Sequence, residues 1–161
     1  MRIVILMGSK ADLPHVDRIA AVVRKFGIPV ERRIASAHKA PKKLLQLIVD
    51  YDAVGEPLVY VAVAGRSNAL SGVLDWATLQ PVITCPPPAE SYAGADLWSS
   101  LRMPSGIATP TILEPEGAAL LAVKILAFAD AGLRERLQAY RSELAAKLEA
   151  DDAALATETG S

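Results

Sequence analysis

Apolar residues in this chain fall into short unbroken runs, separated by longer stretches in which they recur every three or four positions. Arg2 to Met7 (R-I-V-I-L-M) is one such run and stops at Gly8, the pattern of a strand buried in a parallel sheet. Val16, Ile19, Ala20, Val23 and Phe26 then follow at helical spacing, with Asp12 placed to cap the helix and Pro14 suited to its first turn. Gly27 ends that helix, and Ile28-Pro29 leads into a second strand, Val30 to Ile34. Pro41 opens a helix with Leu44, Leu45, Ile48 and Tyr51 on one face, and Gly55-Glu56-Pro57 forms a turn. Leu58 to Val63 reads as a third strand, Asn68 to Ala77 as a short helix, and Pro81 to Thr84 as a short fourth strand stopped by Cys85-Pro86-Pro87-Pro88. Ala89 to Gly94 reads as an irregular loop, and Asp96 to Leu101 as a helical turn or two. Thr109 to Leu113 is a candidate last strand, against which Pro110 argues. Glu116 to Asp130 predicts a helix, and Leu133, Leu137, Tyr140, Leu144 and Leu148 mark a final amphipathic one. The tail from Asp151 is small, polar and acidic and is expected to fray.

Strands alternating with helices imply parallel pairing through right-handed crossovers. The expected fold class is α/β: a three-layer α/β/α sandwich with a parallel sheet, flavodoxin-like or Rossmann-like. With 161 residues and no internal repeat, the chain reads as a single catalytic α/β domain over residues 1–150, followed by the tail 151–161. It is 52% hydrophobic and carries a net charge of -1 with acidic and basic residues interspersed, which argues against a nucleic-acid surface. No apolar run approaches the ~20 residues of a membrane span, and no signal-peptide pattern opens the sequence. Cys85 is the single cysteine, so no intramolecular disulfide framework exists. These features together predict a cytoplasmic protein. An Ala-rich chain of low aromatic content completes its core most readily by association, so a homo-oligomer is expected.

Three polar segments each follow a strand and precede a helix: Gly8-Ser9-Lys10-Ala11-Asp12, Ser36-Ala37-His38-Lys39-Ala40-Pro41 and Ala64-Gly65-Arg66-Ser67-Asn68. In an open parallel sheet such loops gather at the carboxyl edge of the strands, where ligands bind. Ser9 and Asp12 either satisfy helix amides or hold a phosphate and a ribose. Neither dinucleotide nor triphosphate glycine motifs are present. His38, flanked by Ser36 and Lys39, can take and return a proton near neutrality. Lys39 and Arg66 are either solvated charges or converging anion ligands, and Ser67 and Asn68 can meet a ligand, cap the third helix, or do both. His15, Cys85, Trp76 and Trp98 are read as structural, the tryptophans as core or subunit-contact residues, and Arg102 with Ser105-Gly106 as an interface or a site lid. No second histidine or cysteine stands at ligand spacing to His38, so no metal is expected.

The motifs L-M-G-S-K-A-D, F-G-I-P, S-A-H-K, V-A-V-A-G-R-S-N-A-L-S-G, C-P-P-P, D-L-W-S-S-L-R-M-P-S-G and L-E-P-E-G-A-A-L-L-A occur in order from Arg2 to Ala129. In these the chain resembles the phosphoribosylaminoimidazole carboxylase family of purine biosynthesis, which also includes N5-carboxyaminoimidazole ribonucleotide mutases. The mutases typically place arginine after the site histidine and a second histidine in the third loop. Here Lys39 follows His38 and the third loop has no histidine, which resembles the class that uses carbon dioxide directly, without biotin, metal or ATP. The resemblance implies a carboxylase of 5-aminoimidazole ribonucleotide needing no cofactor, with the mutase and a non-catalytic nucleotide-binding module as alternatives. It implies His38 as the catalytic proton carrier. Substrate binding would fall to Gly8, Ser9, Asp12, Ser36, Ala37, Lys39, Ala64, Gly65, Arg66, Ser67 and Asn68. Leu70 and the turn at Ser71-Gly72 would help wall a dry carbon dioxide pocket. Assembly as a homo-octamer, or a homotetramer, is implied as well. Ala11 departs from the serine usual in the family before the aspartate.

Overall fold

The computed structural model describes residues 1–88 and 90–158. Its four strands are β1 (Arg2–Met7), β2 (Val30–Ile34), β3 (Leu58–Val63) and β4 (Val82–Thr84). All pair in parallel, in the order β2-β1-β3-β4. The helices are α1 (Leu13–Lys25), α2 (Pro41–Asp52), α3 (Ala69–Ala77), α4 (Trp98–Leu101), α5 (Pro115–Leu126) and α6 (Ala131–Glu158).

Strand alternation divides the core in two. Ile3, Ile5, Met7, Val59, Val61, Val63 and Ile83 face α1 and α5, where Ile19, Val23, Phe26, Ala118, Ala122 and Val123 meet them. Val4, Leu6, Tyr60 and Ala62 face the other way, onto Leu44, Leu47 and Ile48 of α2 and Leu70 and Leu74 of α3. Every β3 residue is buried, so its unbroken apolar run is what two covered faces require. Small Ala118, Ala119 and Ala122 let α5 sit close against the sheet. The result is the three-layer α/β/α sandwich expected, of flavodoxin-like type.

β2 forms an edge and reads V-E-R-R-I, with its charged residues partly or largely in solvent. Charge along an exposed edge discourages pairing with a stray strand. The opposite edge is extended by an isolated parallel bridge between Thr84 and Thr111. Thr84 donates to the Pro110 carbonyl and Ile112 donates to the Thr84 carbonyl, at 2.9 Å each. The candidate strand over Thr109–Leu113 is thus reduced to one bridge, since Pro110 has no N–H to extend the ladder.

The helix expected over Glu116–Asp130 ends at Leu126, and Asp130 begins a new one: its carboxylate accepts from the Leu133 amide at 2.7 Å. Arg134 covers the vacated end, donating to the carbonyls of Ala127 and Phe128. α6 runs on to Glu158, so residues 151–158, expected to fray, are helical; Ala153, Ala154, Leu155 and Ala156 are favourable helix formers. Residues 159–161, and Ala89 in the loop after β4, lie outside the described residues. Trp76 and Trp98 are 76% and 58% exposed, which removes the core alternative for both.

Candidate active site

β1 and β3 are neighbours, but the chain leaves β1 toward β2 on one side and reaches β4 on the other. Such a reversal of strand order opens a crevice at the carboxyl edge of the sheet. The loops after β1, β2 and β3 line a cleft of about 800 Å³ there. Gly8, Ser9, Asp12, Ser36, Ala37, His38, Lys39, Ala64, Gly65, Arg66 and Ser67 all border it, with Leu70 at the wall. The sheet sets this convergence: the Gly8 amide donates to the Val63 carbonyl and the Ala35 amide to the Met7 carbonyl, each at 3.0 Å.

The first loop forms a closed hydrogen-bonded turn. The Asp12 Oδ2 accepts from the Ser9 amide at 2.9 Å and from the Ser9 hydroxyl at 3.2 Å, while Ser9 Oγ accepts from the Ala11 amide at 3.2 Å. This reciprocal pair caps the 3-10 turn Lys10–Asp12. The Asp12 side chain therefore does not cap α1, as the sequence suggested; it turns back to Ser9. Its second oxygen, Oδ1, keeps its lone pairs for a hydroxyl donor.

In the second loop Ser36 plays the fixing role. Its Oγ accepts from the Lys39 amide at 3.2 Å and its carbonyl from the Ala40 amide at 2.9 Å. His38 and Lys39 stand exposed on that turn, and among the described residues the His38 imidazole has no hydrogen-bond partner. Both ring nitrogens are free to meet a ligand. Pro41 then starts α2 at a position that loses no hydrogen bond.

The third loop is the strained one. Arg66 adopts φ 61°, the left-handed region that side chains rarely occupy. Its guanidinium is exposed and, among the described residues, unpaired. Asn68 differs from its neighbours. It is buried, its Oδ1 accepts from the Ser71 amide at 3.2 Å, and its Nδ2 donates to Ser100 Oγ at 3.0 Å. Of the two roles open to Asn68, the structure places it in the helix cap and not among the cleft-lining residues. Ser71 is likewise fully buried, and Gly72 faces a different hollow, beside Met103.

Pro87, Pro88, Ser91 and Tyr92 complete the cleft and were not singled out as site residues from sequence. The signal was present in their position, since a loop after a fourth parallel strand reaches the same sheet edge. Behind the cleft, His15 Nε2 lies 3.2 Å from Cys85 Sγ, both buried. Burial pushes the Cys85 thiol up to about 12, and burial with the nearby Arg18 cation pushes His15 down. Both groups are held neutral, which suits a structural pair and not a nucleophile and its base.

The arrangement gathers one free imidazole, two cations, and loop hydroxyls and amides about one crevice. It can bind a small anion and move a proton beside it. A profile of the AIR carboxylase family matches residues 2–147. A phosphoribosylaminoimidazole carboxylase from Treponema denticola is 44% identical over 153 residues, covering 95% of this chain and 96% of that protein. One from Archaeoglobus fulgidus is 50% identical over 141 residues, 88% of this chain and 77% of its own length. The human bifunctional phosphoribosylaminoimidazole carboxylase/phosphoribosylaminoimidazole succinocarboxamide synthetase is 45% identical over 138 residues, which are 86% of this chain and 32% of that protein. The crystal structure of Treponema denticola PurE superposes with a TM-score of 0.91 at 44% identity, covering 94% of this chain and 96% of that one. With the profile and the full-length likeness both spanning the sheet and its three site loops, this chain belongs to the AIR carboxylase family.

Proposed function

We propose that this protein carboxylates 5-aminoimidazole ribonucleotide at C4 of the imidazole, using carbon dioxide, as a step of purine biosynthesis. The observation that carries this reading is the meeting of His38, Lys39 and Arg66 in one cleft whose third loop holds no histidine.

The aminoimidazole is an enamine, so its C4 is nucleophilic without an enzyme-bound intermediate. C4 attacks the carbon of carbon dioxide, a C–C bond forms, and one C=O electron pair moves onto oxygen. The ring is then cationic and C4 tetrahedral. His38 takes the C4 proton, its electron pair restores the aromatic ring, and the imidazolium passes the proton to solvent. Arg66 and Ser67 stabilise the growing carboxylate. Ser36 and Lys39 hold the phosphate with Ser9, whose hydroxyl must exchange Asp12 for a phosphate oxygen. Asp12 keeps Oδ1 for a ribose hydroxyl. Gly8, Ala37, Ala64 and Gly65 supply close backbone approach, and Leu70 keeps the carbon dioxide side dry.

The reading extends to one catalytic domain over residues 1–150, acting in the cytoplasm as an octamer or tetramer of identical copies. Exposed Trp76, Leu79 and Trp98 support such self-association. The test supplies aminoimidazole ribonucleotide with low and high bicarbonate, and separately the N5-carboxylated nucleotide. Turnover of the first, rising with bicarbonate, is expected; turnover of the second alone would assign a mutase, and nucleotide binding without either a binding module. His38→Asn should bind nucleotide normally and lose about 10²–10⁴ in kcat. Full activity in that variant would remove His38 from the chemistry.

A further inference from the structure

The strained third loop is held from outside the cleft by a short segment that the reaction itself does not use. The Arg66 amide donates to Asp96 Oδ2 at 3.2 Å. The Asn68 amide donates to Ser99 Oγ at 2.9 Å, and that hydroxyl donates to the Asp96 carbonyl at 2.7 Å, with the Arg66 carbonyl 3.4 Å away. One segment thus fixes successive peptide groups of one loop from behind. A Cβ placed on Gly65 would lie 3.7 Å from Asp96 Oδ2 and 3.5 Å from Pro87 Cγ, so the carboxylate is packed directly against the loop backbone.

We propose that Asp96 is a positioning residue that, with Ser99, locks the Arg66 backbone in its left-handed conformation and so aims the guanidinium at the carboxyl end of the site; this rests on the carboxylase reading. An arginine at φ 61° relaxes toward an ordinary conformation unless its amide and its neighbours are tied. Relaxation rotates Cα–Cβ and swings the guanidinium away from the cleft. The Asp96 contribution is that of an acceptor oxygen in a fixed place. Its negative charge is no help beside a subsite for a growing carboxylate. An amide oxygen in the same position therefore does the same work, and a methyl group does none of it.

The experiment compares wild type, Asp96→Ala, Asp96→Asn and Ser99→Ala as full chains, with aminoimidazole ribonucleotide and varied bicarbonate, alongside thermal unfolding. Asp96→Ala should lose on the order of 10²-fold in kcat/KM for carbon dioxide, the usual effect of a small misplacement. Its nucleotide KM should stay within about twofold, since the phosphate end of the site is untouched, and its unfolding midpoint should hold. Asp96→Asn should recover to within about threefold of wild type, because its Oδ1 can still accept from the Arg66 amide. Ser99→Ala should show the same split as Asp96→Ala, and decides the matter if the latter does not fold. The proposal is overturned if the alanine variants keep their carbon dioxide kinetics, if losses fall equally on the nucleotide KM, or if Asp96→Asn is no better than Asp96→Ala. A wild type that carboxylates nothing overturns the carboxylase reading and this proposal together; an active wild type with unaffected variants overturns the positioning role alone.

Discussion

Arg66→Gly should make this protein more stable and nearly inactive at once. Arg66 sits at φ 61°, where an L side chain costs roughly 1–2 kcal/mol and glycine costs nothing. Against that gain stands the extra freedom glycine gives the unfolded chain, about 0.4–1 kcal/mol. No contact is lost in exchange, because the side chain is exposed and unpaired among the described residues, and the hydrogen bond donated by its backbone amide to Asp96 survives. The balance is a stabilisation of up to about 1.5 kcal/mol, which at its upper end raises the unfolding midpoint by roughly 3–6 °C in a domain of this size. Removing the guanidinium from the developing carboxylate should lower kcat by about 10²–10³. Arg66→Ala is the control: it loses the same charge and keeps the strain, so it should be as inactive but less stable than the glycine variant. Calorimetry and the rate of product formation read both effects. A glycine variant that melts no higher than the alanine variant refutes the strain argument, and one with near wild-type turnover refutes the role of the guanidinium.

Two further substitutions probe the interior. Tyr60 is fully buried and donates to Asp52 Oδ1 at 2.9 Å, while Thr78 donates to Oδ2 at 2.6 Å. Asp52→Ala should cost about 1–3 kcal/mol for the stranded Tyr60 hydroxyl alone, measured by urea unfolding, and a loss under about 0.5 kcal/mol would refute that pairing. His15 is held below its usual pKa by burial and then by Arg18, against the opposing charges of Asp12 and Glu114. The unfolded chain therefore binds a proton there first as pH falls, so this stability is complete above about pH 6.5 and declines below it. The stability advantage of wild type over His15→Gln should shrink from pH 8 to pH 5, and an advantage constant across that range would refute a neutral buried imidazole.

The sequence carried the sheet well because its strands are contiguous apolar runs with hard stops. β1 and β3 end where Gly8 and Ala64-Gly65 begin, and both faces of each are covered, so period and length agree. It carried the fifth strand position poorly, because one missing N–H at Pro110 turns a ladder into a bridge. The break between α5 and α6 was legible but placed too late: apolar spacing continues past Leu126, where α5 ends, and Asp130 three residues before Leu133 caps the new helix rather than closing the old one. Site loops following β1, β2 and β3 were legible as strand–polar–helix transitions. Asp96 was not legible as a neighbour of Arg66, nor Tyr92 as a wall of the same cleft, because nothing local relates residues so far apart along the chain. Asn68 was legible in its other capacity, as a polar residue at the end of a site loop that caps the helix that follows.

The order in which the elements are strung has a consequence for synthesis. All three site loops come from the first 68 residues, yet the face of β1 and β3 bearing Ile3, Ile5 and Val61 is closed partly by α5, which ends at Leu126. At about 5–20 residues per second a ribosome needs roughly 3–12 s to make the intervening stretch. Throughout that interval the nascent sheet holds its reactive loops while the part of its apolar face that α1 does not cover stays open to the surroundings. A chain truncated before α5 should accordingly be a client for chaperones, and rare codons placed between residues 68 and 115 should lower yield without changing the enzyme that survives.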